Sequence, residues 1–195
     1  MSIILLVGAS GSGKTTLGKK LEANGIKQLV SFTTRQAREG EIEGMDYYFV
    51  DKSNVEHFDL AEISHYGGNH YGLFKREVKI GLEMNEHVYF ITDTNGAKQM
   101  VEMYPDDTEY FWIDTTLETM VKRMRNRGDN EEQILKRIEH AIDNNETQMP
   151  DNIDANIFTL DSENTVEDNV FLIKAHLYLK SARVRKIIKI LGEVA

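Results

Sequence analysis

One short segment constrains this chain more than any other: Gly8-Ala9-Ser10-Gly11-Ser12-Gly13-Lys14-Thr15. It satisfies G-x-x-x-x-G-K-[ST] in full and lies between the apolar run Ile3-Ile4-Leu5-Leu6-Val7 and the helix-like stretch Lys14 to Leu21. The run has the form of a strand buried on both faces. Strand, glycine-rich turn and helix are the context in which this motif cradles phosphate. Glycines let successive backbone N–H groups turn inward around an anion, and the helix N-terminus adds partial positive charge. Gly8, Ala9, Ser10, Gly11, Ser12, Gly13, Lys14, Thr15 and Thr16 are therefore the expected ATP-binding segment, with Lys14 reaching the β- and γ-phosphates and the Thr15 hydroxyl offered to Mg²⁺. A dinucleotide fingerprint is the nearest structural rival, and it fails because the third glycine is absent after Gly11-Ser12-Gly13. The motif leaves the phosphoryl acceptor unnamed.

Further strands are expected at Gln28 to Phe32, His87 to Thr92, Glu109 to Ile113 and Asn156 to Leu160. Helices are expected over Lys75 to Met84, Gly96 to Met103, Leu117 to Arg125, Glu131 to Asn144 and Val166 to Leu191. Strands alternating with helices predict an α/β fold, a parallel sheet flanked by helices. Two regions break the alternation. Residues 31–73 hold short polar strand-like pieces (Tyr47 to Val50, Ala61 to His65, Asn69 to Leu73) and read as a small inserted subdomain. Residues 123–137 read as two helical arms around Arg127-Gly128-Asp129-Asn130, the pattern of a mobile lid. The expected core is then residues 1–30, 74–122 and 138–195 of a single domain.

At 195 residues, 41% apolar, the chain can bury a full core, on the order of 70% of its unfolded surface. No apolar run approaches the roughly 18 residues needed to span a bilayer, and the N-terminus lacks the charge and length of a signal peptide. The absence of cysteine excludes disulfides and thiolate metal sites, and a cytoplasmic location is expected. A net charge of −9 disfavours nucleic acid as a bulk partner, so positive charge must be concentrated locally if phosphates are bound, and no membrane partner is expected. The six histidines show no paired ligand spacing. Met100, Met103, Met120 and Met124 fall at helical spacings and read as core filler. The cluster Lys180, Arg183, Arg185, Lys186, Lys189 reads as solvated charge at a helix end.

Concentrated charge occurs in Ser31-Phe32-Thr33-Thr34-Arg35-Gln36-Ala37-Arg38-Glu39-Gly40-Glu41, followed by Gly44-Met45-Asp46-Tyr47-Tyr48-Phe49-Val50. Guanidinium groups bind phosphate bidentately, although an isolated R-x-x-R pair is more often a solvated face. Glu62 precedes Gly68-Asn69-His70-Tyr71-Gly72, and Arg123, Arg127-Gly128 precede Glu131-Glu132-Gln133-Ile134-Leu135-Lys136-Arg137. In this order, from about Ile3 to Arg137, the motifs resemble those of the guanylate kinase family: a phosphate loop G-x-S-G-x-G-K, then S-x-T-T-R-x-P-R-x-G-E-x-x-G-x-D-Y-x-F-V, a Glu before G-N-Y-Y-G, and a lid R-x-x-x-R-G, E-E-x-I-x-x-R.

The resemblance implies a P-loop kinase that phosphorylates GMP or dGMP with ATP and Mg²⁺. It implies that Ser31, Arg35, Arg38, Tyr47 and Tyr71 hold the acceptor phosphate, that Glu62 and Asp93 belong to the GMP site, and that Arg127 and Arg137 neutralise the transferring group. Arg123, one helical turn before Arg127, joins the ATP site. Lys14, Arg38, Arg127 and Arg137 are the expected catalytic set. An ionised carboxylate at 62 only accepts hydrogen bonds, matching the N1–H and 2-amino group of guanine and opposing adenine N1. The chain departs from the family pattern at Leu73, which replaces a Ser or Thr that reaches guanine O6, and at His70, Ala37 and Ile91. The lid loop is one residue shorter, and Thr159-Leu160-Asp161 lacks the usual Asn. Two other readings follow: a nucleoside monophosphate kinase with altered base choice, and a non-catalytic binding module of the same fold. The intact phosphate loop argues against the second. The oligomeric state is not legible in the sequence.

Overall fold

A computed structural model describes all residues except 152, 154 and 182–195. The elements run, in chain order, β1 (Ser2–Val7), α1 (Lys14–Ala23), β2 (Lys27–Gln28), β3 (Phe32–Thr33), β4 (Tyr48–Phe49), a short 3-10 turn (Lys52–His57), β5 (Leu60–Tyr66), β6 (Asn69–Phe74), α2 (Lys75–Met84), β7 (His87–Ile91), α3 (Thr94–Met103), β8 (Thr108–Asp114), α4 (Leu117–Arg127), α5 (Glu131–Asp143), β9 (Ile157–Asp161) and α6 (Val166–Lys180).

The main sheet has five parallel strands in the order β2-β7-β1-β8-β9. β1 is central and Ile3 through Val7 are fully buried. Its alternate residues serve opposite faces, as the period of a strand requires. Ile3, Leu5 and Val7 pack with Val78 of α2 and Ala97, Met100 and Val101 of α3. Ile4 and Leu6 pack with Leu17 and Leu21 of α1 and Val170, Ile173 and Leu177 of α6. An unbroken apolar run is what a strand covered by helices on both faces needs.

The expected strand Gln28 to Phe32 is two strands in two sheets. β2 ends at Gln28, Leu29 drops into the main core, and the Val30 N–H donates to the Glu77 carboxylate, 3.2 Å away, instead of continuing the ladder. The chain resumes as β3 in a four-stranded sheet ordered β4-β3-β6-β5. That sheet has its own small core, in which Phe32, Phe58 and Phe74 pack with ring centroids 5.1–5.7 Å apart. Ala61 and Leu73 reach instead into the main core, so the two sheets share apolar contacts.

α4 and α5 are separate helices joined through Gly128 to Asn130, and Asn130 opens α5 with a capping box to Gln133. Ile134 and Ala141 of α5 pack with Met120 and Met124 of α4 against Ala9 of the phosphate loop. Met100, Met120 and Met124 are thus core residues, whereas Met103 is exposed. The helix expected to run to Leu191 is described only to Lys180, where Ser181 is extended. Lys180 pairs with buried Glu109, and Arg183, Arg185, Lys186 and Lys189 lie outside the described residues. Among the described residues no helix is long and apolar enough to cross a membrane.

Candidate active site

The carboxyl ends of the parallel strands open onto one crevice, the usual place for a ligand in an open α/β sheet. Gly8 follows β1, Thr92 and Asp93 follow β7, and Ser162 follows β9. Gly13, at φ 105°, turns the phosphate loop into α1 in a conformation that a side chain would strain. No side chain caps α1, which leaves its first N–H groups for a ligand. Among the described residues the buried Ser12 hydroxyl has no hydrogen-bond partner. Lys14 lies along the loop, its Nζ donating to Gly8 O at 2.6 Å and Ala9 O at 2.9 Å. Burial pulls its pKa down to about 8, against the opposing pull of Glu146 and Asp93. A triphosphate there would push that pKa back up.

Two cavities meet at Ser10 and Lys14. The first, of about 600 Å³, is lined by the phosphate loop with Thr15 and Thr16, by Arg123 and Arg127, and by Asn164 and Asn169. Arg123 bridges the loop to the end of β9, donating to Ser12 O at 2.8 Å and also to Ser162 O. Asn164 and Asn169 went unnoticed in the sequence, where they belong to no pattern. The buried Asn169 amide donates to Asp161 O and accepts from Asn164, so the pair forms a polar wall just beyond the strand that lacks the usual Asn.

The second cavity, of about 360 Å³, runs from Lys14 to Glu62 and is lined by Ser31, Tyr47, Tyr71, Thr92, Asp93 and Arg137 among others. Glu62 is 2% exposed. Burial, followed by the charge of Asp93, pushes its carboxyl up to about 8, opposed by hydrogen bonds from Ser64 and Thr92. Tyr47 and Tyr71 meet edge to face, and the Arg35 guanidinium stands 5.3 Å from the Tyr47 ring. Arg35 donates bidentately to Glu41, both bonds 2.8 Å, and holds that carboxyl well below the usual carboxylate range. Arg38 is exposed and lines neither cavity; its backbone N–H donates to Glu41.

Arg137 crosses from α5 and donates to Ser10 Oγ at 3.0 Å. Arg127 pairs with Asp129, which also faces Arg137. Surface pairing of these two arginines with Glu131, Glu132 or Glu139 is therefore not what the structure shows; Arg125 takes Glu131. The β5–β6 hairpin reaches the same helix, where the Tyr66 ring meets His140 at 4.8 Å, and His140 pairs with Glu146. Glu146, His140 and Ser64 line the second cavity and were missed in the sequence because they lie outside every motif.

The family model for guanylate kinase matches residues 1–175. A guanylate kinase from Oceanobacillus iheyensis is 31% identical over 191 residues, covering 94% of this chain and 91% of that protein. The chain belongs to the guanylate kinase family. A guanylate kinase from Fusobacterium nucleatum is 30% identical, with 89% and 96% of the two chains covered. The crystal structure of guanylate kinase from Anaplasma phagocytophilum shares 25% identity at a TM-score of 0.63, covering 93% of this chain and 86% of that one.

Within that family, the departures of this chain acquire positions. Leu73 is fully buried among core residues and does not line the cavity. It is the cross-strand partner of Glu62, so it fills the space beside the carboxylate with hydrocarbon. His70 packs edge to face on His65 at 4.3 Å. Ala37 lies in the exposed loop between Arg35 and Arg38. Ile91 lines the second cavity and packs on the main core.

Proposed function

We propose that this protein transfers the γ-phosphoryl group of ATP to GMP or dGMP, giving ADP and GDP or dGDP. The observation that carries the reading is the meeting of two cavities at Ser10 and Lys14, one built on the phosphate loop and the other ending at a buried carboxylate. ATP would occupy the first, held by Gly8 through Thr16 and Arg123. The acceptor would occupy the second, its phosphate among Ser31, Arg35, Arg38, Tyr47 and Tyr71, its base against Glu62 with Asp93 nearby.

The acceptor oxygen is already anionic, so no general base is needed, and the barrier is repulsion between two polyanions. Cations therefore do the work. Lys14 holds the donor phosphates, Arg35 and Arg38 the acceptor phosphate, and Arg127 and Arg137 neutralise charge on the group in flight. For Arg35 and Arg38, neither of which lines a cavity, this requires their loop to close inward. Residues 31–73 act as the acceptor subdomain and residues 123–137 as a lid whose closure excludes water. Mg²⁺ would be held by the Thr15 hydroxyl with nucleotide phosphates and water, where it supplies charge neutralisation. The donor chemistry fits: Thr15 lines the first cavity beside Lys14 and offers a hard oxygen, and Mg²⁺ relies readily on phosphate and water for its other ligands.

The test is ADP production from Mg-ATP with GMP, dGMP, AMP, IMP, UMP and dTMP offered separately. Turnover with GMP or dGMP and almost none with AMP is expected above pH 8, where the Glu62 carboxyl is largely ionised. Comparable turnover across the bases would replace the reading with a kinase of altered base choice. Binding of ATP without turnover on any acceptor would favour a binding module.

A further inference from the structure

Glu62 stands on β5, the outer strand of the four-stranded sheet, where the order is β4-β3-β6-β5. An outer strand is paired to the sheet along one side only. The pairing of β5 is also irregular beside the carboxylate: its register against β6 slips between Leu60, opposite Phe74, and Glu62, opposite Leu73. A bulge of this kind re-aims a side chain and interrupts the ladder around it. The ladder with β6 therefore does not by itself fix Glu62.

The other edge of β5 meets α3. Gln99, half-buried on that helix, accepts at Oε1 from the Ile63 N–H, 3.1 Å away, and donates from Nε2 to the Ile63 carbonyl at 2.9 Å. One side-chain amide thus takes both backbone groups of a single residue, the exchange that a further antiparallel strand would make. Ile63 directly follows Glu62. One turn earlier on the same helix Gly96 lies flat against the carboxylate, where a Cβ would stand 2.4 Å from Glu62 Oε1. Helix α3 thus meets Glu62 at two levels, making room for its side chain at Gly96 and gripping its backbone at Gln99. Burial and the charge of Asp93 both oppose an ionised Glu62 in this place. A strand released from α3 would let the carboxylate swing toward water.

We propose that Gln99 is a positioning residue for base recognition, holding β5 against α3 so that the Glu62 carboxylate stays aimed into the acceptor cavity. The inference rests on the kinase reading above, in which Glu62 meets guanine. Gln99 itself lines neither cavity, so its influence on the nucleotide is transmitted through β5.

The test combines Gln99→Met, which keeps the length of the side chain and loses both bonds, with Glu62→Gln in a double-mutant cycle. Both kcat and KM are measured with GMP and with IMP at pH 8.5, where Glu62 is largely ionised, alongside KM for ATP. Guanine offers the carboxylate N1–H and a 2-amino group, whereas the hypoxanthine of IMP offers N1–H alone, so a misplaced Glu62 costs GMP more. Gln99→Met is expected to lower kcat/KM about tenfold for GMP, chiefly through KM, and about threefold for IMP, with KM for ATP within about twofold. In the Glu62→Gln background the same substitution should act equally on both nucleotides, by no more than about twofold. Gln99→Asn keeps the amide but is one methylene too short to hold both groups; it should show the same coupling, and it carries the test if Gln99→Met fails to fold. Equal losses on GMP and IMP, or an undiminished loss in the Glu62→Gln background, would overturn the inference, because a role in the fold alone is indifferent to what stands at 62. An unaltered Gln99→Met would overturn it as well. A wild-type protein that fails to phosphorylate GMP would overturn the kinase reading and this inference with it; an active wild type in which the two substitutions simply add would overturn only the inference.

Discussion

On the kinase reading, in which Glu62 meets the base, its raised pKa makes base choice a function of pH. The carboxyl is lifted from 4.5 to about 8, chiefly by burial and then by the charge of Asp93. At roughly 1.4 kcal/mol per unit, the shift corresponds to about 5 kcal/mol against ionisation, of which about 1 kcal/mol remains to be overcome at pH 7. The neutral acid then predominates at pH 7. The two protonation states read different edges: the carboxylate accepts twice, matching guanine, whereas the acid donates once and accepts once, matching N1 and the 6-amino group of adenine. Below about pH 8, kcat/KM for GMP should rise about tenfold per unit while that for AMP stays flat. Above it, GMP levels off and AMP falls. The ratio therefore rises about tenfold per unit throughout. The acceptor phosphate and Lys14 also titrate in this range, but they are common to both nucleotides and cancel in the ratio. The assay is the GMP/AMP ratio of kcat/KM from pH 6.5 to 8.5, in the wild type and in Glu62→Gln, which holds one donor and one acceptor at every pH. A flat wild-type ratio, or the same slope in Glu62→Gln, would refute the reasoning. The linkage to stability has a definite sign. A folded-state value above the unfolded one favours folding fully below about pH 4.5, and that contribution is lost as pH rises through about 8. Wild-type Tm should fall across this interval more steeply than that of Glu62→Gln.

Lys14→Ala should lower kcat by orders of magnitude with Tm nearly unchanged, because among the described residues the Lys14 hydrogen bonds go to two loop carbonyls; steady-state kinetics beside thermal melting checks both halves. Arg127→Ala and Arg137→Ala should each reduce kcat by 10²-fold or more with little change in KM for GMP, whereas Arg125→Ala, whose side chain is spent on exposed Glu131, should leave kcat intact; equal effects at all three would deny the first two a special role. Gly96→Ala places a methyl group against Thr92 and Glu62 and should cost about 1–3 kcal/mol of stability together with a raised KM for GMP, read by denaturant melts and kinetics; an unperturbed KM would mean that α3 yields without disturbing the pocket.

The main sheet was largely legible because its signals are local. A fully apolar β1 can only be central, and the glycine-rich turn after it has one common use. The split between β2 and β3 was not legible, since nothing in Gln28 to Phe32 announces that Glu77, far along the chain, will capture the Val30 N–H. The acceptor residues formed a recognisable motif, but their present partners did not show in it. Glu41 reads as one more charge in an acidic protein until the fold brings it onto the Arg35 fork. Glu146, Ser64, Thr92 and the Asn164–Asn169 pair reach the cavities through long-range packing, which no spacing rule reports.

The cations that the kinase reading assigns to phosphate illustrate how an acidic chain holds such a site. Arg35 bonds to Glu41, Arg127 to Asp129, Arg137 to Ser10 and Lys14 to backbone carbonyls. A buried or half-buried cation without a partner would be costly, so each is satisfied before substrate arrives. Nucleotide binding then becomes an exchange of partners rather than the filling of a bare electrostatic trap. The exchange limits how tightly single phosphates bind and favours a ligand that can replace several partners together. Two nucleotides meeting at Ser10 and Lys14 can do so, and an isolated phosphate cannot. On that reading, selectivity for the pair lies in the same contacts that now partner these cations.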